Sequence, residues 1–372
     1  MRTPNLASFP PVAALRFDPS QTTQLGCSVC ATRGLCGGLD VAGPIFDCHD
    51  LCACAYGGRC GGLCPRNARD FVAHIREVHG LALDNVPRVA PLAFEAGSLY
   101  APIVYDRFRR DEPLSAPVVA VPLMRLFSHA SGAARYLSPI TMRSDFLIAP
   151  GSTIIASGVD DDPAIEAWWR ARDRPRLIAQ LRALGISFVT TPNYSLYMDV
   201  TRWDNLHNMK RIALAWAEFM AGGIPCALHL NARTTTDYRR WRDFVGERPE
   251  VTAVAFEFLT GAKGLRGDYH REELIALAQE VGRPLTLVLR GGTRHIGRLA
   301  AAFASIWLLD ATPQMKAKNR RRGVVSVPGR LRWESAPTSA GAPVDALFAQ
   351  NVAVCRASQA ARLGLPGADN VH

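Results

Sequence analysis

From about residue 100 to residue 325, short apolar runs alternate with amphipathic stretches. The runs cover positions 117–123, 146–149, 186–190, 225–230, 251–256, 285–289 and 305–309. They are rich in Val, Ile and Leu and nearly free of polar residues, as strands buried on both faces of a parallel sheet are. Between the later runs, positions 205–220, 237–245, 270–281 and 294–303 repeat apolar residues at helical spacing, as in Leu206, Met209, Ile212 and Trp216. Strands alternating with helices of this length predict βαβ units. The number of repeats predicts an α/β chain folded as a TIM-like (β/α) barrel over 96–325, with a doubly wound sheet as the alternative.

The flanks differ. Residues 1–95 have little periodicity but hold eight of the ten cysteines: Cys27, Cys30, Cys36, Cys48, Cys52, Cys54, Cys60 and Cys64. Positions 1–10 lack a long apolar run, so a cytoplasmic chain is expected, and there thiols this crowded point to metal rather than disulfides. Sets of four thiolates suit tetrahedral zinc, with an iron–sulfur cluster as the alternative. This region is therefore expected to be a metal-stapled, cysteine-rich domain. The tail, 326–372, predicts one helix over 344–363, packed on the barrel.

In such barrels chemistry sits at the C-terminal ends of the strands. Here those ends turn polar one after another. They deliver Asn193 and Tyr194, then Asn231 and Arg233, then Glu257, then Arg290, Gly291 and Gly292, and finally Asp310 with Lys316 beyond it. One polar residue after an apolar run is usually the start of a solvated loop, and paired glycines usually only make a turn. Five consecutive polar ends predict an active site with Glu257 and Asp310 in one mouth. Two carboxylates beside an Arg suit a reaction through an oxocarbenium-like transition state, one carboxylate facing the anomeric carbon and the other moving the proton. The amides and the guanidinium suit a planar, hydrogen-bonding leaving group such as a nucleobase.

The segment Leu308-Leu309-Asp310-Ala311-Thr312-Pro313, followed by Lys316, Lys318, Asn319 and Arg320, resembles the nucleophile segment of the tRNA-guanine transglycosylase superfamily. Ala255-Phe256-Glu257-Phe258 is similar to that family's second acidic segment, with Glu for Asp. Val288-Leu289-Arg290-Gly291-Gly292 is similar to its Gln-Gly-Gly base-recognition loop, with Arg for Gln. Thr191-Pro192-Asn193-Tyr194-Ser195 stands where the family has Asp-Ser-Gly-Gly. The resemblance covers about residues 186–325. It implies a nucleophilic Asp310, a proton-handling Glu257 and a base held by Arg290, Gly291 and Gly292. It also extends to DNA-modification and phage-defence settings. The expectation is a DNA glycosylase that removes a modified base in antiviral defence. The alternatives are a base-exchanging transglycosylase acting on DNA or tRNA, and a metal-stapled nucleic-acid-binding protein without activity.

Charge supports a polyanionic partner. The chain carries 43 basic and 33 acidic residues, a formal balance of +10 that favours nucleic acid, DNA before RNA. Five of the seven residues 316–322 are basic. Lys318, Arg320, Arg321 and Arg322, with Arg211 near the start of the 205–220 helix, are the expected phosphate contacts. Asp204 is the expected cap of that helix. No apolar stretch is long enough for a membrane helix, and a cytoplasmic location is expected. The oligomeric state is left open.

Overall fold

The computed structural model describes residues 74, 77–94, 97–106, 108–197, 202–259, 262, 264–326, 330–339 and 341–363. The eight cysteines between positions 27 and 64, and with them the expected metal sites, lie outside the described residues. No described helix is long and apolar enough to cross a membrane. The chain forms two compact units. Of the described residues, one holds those up to Pro87 with those of Tyr194–Leu214 and Leu230–Glu247, and the other holds those of Arg88–Asn193, Ala215–His229 and from Arg248 onward.

The second unit contains an eight-stranded parallel sheet. Its strands are β1 (Leu99–Pro102), β2 (Val118–Pro122), β3 (Thr153–Ser157), β4 (Ile186–Thr190), β5 (Cys226–His229), β6 (Ala253–Glu257), β7 (Thr286–Arg290) and β8 (Ser305–Asp310). The neighbour order is β1-β8-β7-β6-β5-β4-β3-β2. The remaining edges meet where Ile103 pairs with Ala120 and the Val104 N–H donates to the Ala120 carbonyl at 2.8 Å. The sheet thus curls into a nearly closed, TIM-like barrel. Alternate residues fill it. Ala101, Ala120, Ala227, Ala253 and Ala255 leave room for Phe188 and Trp307, whose rings meet at 4.6 Å. Phe94, ahead of β1, packs edge-on against both.

Six of the seven predicted runs become strands, and two differences matter. Residues 146–149 are not a strand. Ser138 caps a helix, α1 (Pro139–Phe146), by accepting from the Ile140 N–H, and Leu147 ends it at φ +49°. A proline at the first helical position and a serine cap before it are a helix start. The strand lies later, in the β-branched Thr153-Ile154-Ile155. The strand β1 has no counterpart among the predicted runs, because it is four residues long and ends in Pro102.

The crossovers are α2 (Asp162–Arg170) and α3 (Arg174–Ala183), then α4 (Arg202–Ala221), α5 (Thr235–Gly246), α6 (Leu265–Val281) and the single turn α7 (Ile296–Leu299). The predicted 294–303 helix thus shrinks to one turn after a 3-10 turn. Helix α4 starts at Arg202, so Asp204 lies in its first turn rather than at its cap. After β8 come α8 (Thr312–Lys318), a hairpin of β9 (Arg321–Ser326) and β10 (Arg330–Ser335), and α9 (Asp345–Leu363). The expected tail helix is therefore present, and it packs on α8, β9 and β1. A cavity of about 400 Å³ remains beside it, lined by Tyr100, Leu114, Val118, Val352, Ala353 and Arg356 among others.

In the first unit, Thr234 and Asp237 form a reciprocal capping box at the start of α5. Trp241 is fully buried and donates to the Asn231 carbonyl at 2.7 Å. The buried Lys210 ammonium is satisfied by the Ala82 carbonyl and the Asn85 side chain.

Candidate active site at the barrel mouth

Strand parity decides what enters the mouth. Ala253 and Ala255 of β6 face the interior, so Glu257 does too. Val288 of β7 faces it, so Arg290 follows. The two are register partners across β6 and β7. The Asn193 amide donates to a Glu257 carboxylate oxygen at 3.2 Å. Arg290 is anchored at two points. One terminal nitrogen donates to the Val159 carbonyl at 2.7 Å and the other to the Tyr105 hydroxyl at 3.2 Å. Arg290, Glu257 and Asn193 are thus brought together as expected from the sequence.

Four further groups join them. Ala227 of β5 is interior, so His229, the last residue of that strand, is on the same face and is buried. Its Nδ1 lies 2.8 Å from the Thr191 carbonyl. A carbonyl only accepts, so Nδ1 carries the hydrogen and Nε2 carries the lone pair. Burial, with Arg290 adding to it, lowers the His229 pKa to about 4, so the ring is neutral at pH 7. Asp160, just past β3, lies within electrostatic reach of Arg125 and Arg290. Burial still pushes its carboxyl above the usual range. Ser157 closes β3 with a buried hydroxyl that has no partner among the described residues, and the same holds for Nε of Arg290. Gly158 lets β3 approach β4. A Cβ there would stand 2.2 Å from the Thr191 carbonyl oxygen, and the Gly158 N–H donates to Thr190 Oγ1 at 2.8 Å.

Asp310 is placed differently from the expectation that the end of β8 aims it into the mouth. Trp307 and Leu309 are the interior residues of β8, so Asp310 is on the outer face. One carboxylate oxygen accepts from the Tyr100 hydroxyl at 3.0 Å and the other from the Thr312 N–H at 2.9 Å. Burial, with Asp310 and Cys355 adding to it, raises the Tyr100 pKa well above its usual value. Asp310 therefore ties β1 to β8 and the start of α8, under the tail helix.

The expected base-binding and phosphate-binding residues divide in the same way. Gly291 and Gly292 adopt φ +76° and +67°, and a Cβ on either would run into Leu259 or Phe258. Their structural role is the turn. In the first unit, Asn231 donates to the Tyr194 carbonyl at 2.6 Å and Arg233 to the Leu196 carbonyl at 2.5 Å. Asn205 and Asn208 hold Tyr197 and Ser195 of the same segment. Tyr194 is 1 % exposed, with the guanidinium of the buried Arg211 4.1 Å over its ring. Arg211 is therefore committed to Tyr194 and Asn208 rather than presented to a phosphate. In the basic run, Lys316 sits 5.2 Å over the Trp333 ring, Arg322 pairs with Glu334 at 3.2 Å, and Arg320 donates to the Ala342 carbonyl. Lys318 and Arg321 stand exposed.

The sequence reading missed Asp160, His229, Tyr105 and Ser157. A signal for Asp160 existed, because Thr153-Ile154-Ile155-Ala156-Ser157 is a strand-like run whose end would have delivered it.

No family model matches the chain, and no curated protein matches it. Among solved structures, "a putative lyase/mutase from Burkholderia cenocepacia J2315" is 16 % identical, with 66 % of this chain and 86 % of that one covered at a TM-score of 0.34. A designed cube-shaped, highly porous protein cage is 11 % identical, with 71 % and 73 % covered at 0.31. Both are too distant to bear on chemistry.

Proposed function

We propose that the protein is an enzyme that cleaves the base–sugar bond of nucleic acid at the barrel mouth, with DNA preferred to RNA. The observation that carries this reading is the pair of unlike carboxylates around Arg290. Asp160 has its pKa raised by burial, while Glu257 accepts from Asn193. Two carboxyl groups in unlike surroundings are how a glycosidic bond is divided between an acid and a charge stabiliser. Asp160 gives its proton to the departing base. Glu257 faces the sugar carbon as positive charge develops. Arg290, fixed by Val159 and Tyr105, holds the base. The target nucleotide must leave the stack to reach such a pocket.

Removal of a modified base in antiviral defence is the biology this reading favours. The eight clustered thiols are proposed to hold zinc, or an iron–sulfur cluster, as a structural staple. Elemental analysis below one metal per chain overturns the staple.

The deciding experiment incubates the protein with modified and unmodified DNA, scores abasic sites and identifies the released base by mass spectrometry. Glu257→Gln is expected to slow release by about a thousandfold and Asp160→Asn by about a hundredfold or more. Release should also fall as pH rises through the elevated Asp160 pKa, because the acid must be protonated. Absence of release from every DNA overturns the function. Near-normal rates in both variants overturn the assignment of the carboxylates.

A further inference from the structure

The buried side chain at the end of β5 does no structural work with its second nitrogen. His229 is held from two sides by one residue. Its backbone N–H donates to Thr191 Oγ1 at 2.9 Å, and its Nδ1–H donates to the Thr191 carbonyl at 2.8 Å. The ring is thus fixed and its tautomer set. Nε2 is left as a pure acceptor that makes no hydrogen bond among the described residues, although the residue is only 3 % exposed. The atom is therefore open to the mouth rather than sealed in the core, and a ligand or water hydrogen can reach its lone pair.

Two more groups of the same mouth are unsatisfied, the Ser157 hydroxyl and Arg290 Nε–H. They are close in the fold, since Arg290 binds the carbonyl of Val159, two residues beyond Ser157. The charged neighbours of His229 are Arg290 on β7 and, as that residue's register partner, Glu257 on β6. Arg290 opposes protonation of the imidazole. The floor of the mouth therefore offers the imidazole lone pair, one N–H donor and one hydroxyl that can donate or accept.

We infer that the mouth floor holds the attacking water, with His229 Nε2 accepting one of its hydrogens, which makes the reaction hydrolysis rather than base exchange. The inference rests on the base–sugar cleavage proposed above. The water oxygen bonds to the anomeric carbon while the carbon–nitrogen bond breaks, its electron pair going to the base. Asp160 supplies the proton that the departing nitrogen gains. Nε2 takes the proton that water loses, and solvent returns it to Asp160. Arg290 Nε–H donates to one lone pair of the water and the Ser157 hydroxyl oxygen accepts its second hydrogen, which leaves the other lone pair for the attack.

The test compares wild type with His229→Ala in base release from DNA, with and without sodium azide, which attacks without losing a proton. Release by the variant is expected to fall about a hundredfold. Azide should restore it, with azide found on the sugar. Wild type in ¹⁸O-water should place the label on the sugar. If His229→Ala melts below the assay temperature, His229→Asn replaces it, because the Asn amide still donates to the Thr191 carbonyl but brings no Nε2. Near-normal release without azide, a slow variant that azide does not rescue, or absence of label overturns the inference while leaving base–sugar cleavage standing. No release by wild type overturns both.

Discussion

Asp310 and Asp160 show how one residue's direction outranks its position. Both follow a buried strand, and the sequence pointed to Asp310. Its neighbours Leu309 and Trp307 claim the interior, which forces its carboxylate outward onto Tyr100 and Thr312. The alternation of one strand carries that information, but only once the interior face is known. Glu257, Arg290 and Asn193 were legible because their strands were bounded correctly. Asp160 was hidden by the misplaced third strand. Asp310→Asn should therefore leave base release within about threefold of wild type. It should lower stability by about 1–2 kcal/mol, since one of two hydrogen bonds is lost. Urea unfolding of the variant beside its turnover checks both. His229 gives a second signature. Its folded pKa of about 4 lies below the ordinary 6.5. The unfolded chain thus binds a proton that the folded chain refuses, and stability present above pH 6.5 is lost as pH falls toward 4. The loss is at most about 3 kcal/mol. His229→Asn should flatten that part of the stability curve, and denaturation at pH 7 and pH 4.5 measures it.

Among the elements, alternation and length were readable wherever the run was long, apolar and free of competing caps. Strands β4 to β8 meet that condition. The helix α1 does not, because Ser138-Pro139 starts a helix that swallows the apolar residues beside it. Nor does β1, which is too short to stand out. The tail helix α9 was readable, but not what holds it. Asn351 is fully buried on it, accepts from the Gly323 N–H at 2.8 Å and donates to the Arg321 carbonyl at 2.9 Å. One side chain thus fastens α9 to β9. Asn351→Leu keeps the branching of the side chain but strands the Gly323 N–H and the Arg321 carbonyl, at a cost of about 2–4 kcal/mol. A drop of that size in urea unfolding is expected. A loss under 0.5 kcal/mol would show that water replaces the amide.

For the whole molecule, the basic run offers less free charge than its spacing suggested. Of that run, Lys316, Arg320 and Arg322 have partners within the protein, so Lys318 and Arg321 are the phosphate contacts that the proposed function would use. Replacing both with Ala should flatten the salt dependence of DNA affinity by up to about two units, one per phosphate contact. Replacing Arg322 alone should leave the slope unchanged. The barrel is also not equally strong around its circumference. Seven of its eight joints are ladders, whereas β1 meets β2 through the single Ile103–Ala120 bridge. The protein is a hoop with one light weld, and α9 lies over it as a splint, with a half-open groove of about 400 Å³ alongside. Hydrogen exchange should find the β1 and β2 amides the first of the barrel to lose protection. A bulkier residue at the exposed Ala353, such as Ala353→Leu, would cover part of the groove against Leu114 and Val118 and so tighten the splint. It should raise the melting temperature by a few degrees without touching the mouth. The joint most exposed to opening is thus one that evolution, or an engineer, can stiffen while leaving the chemistry alone.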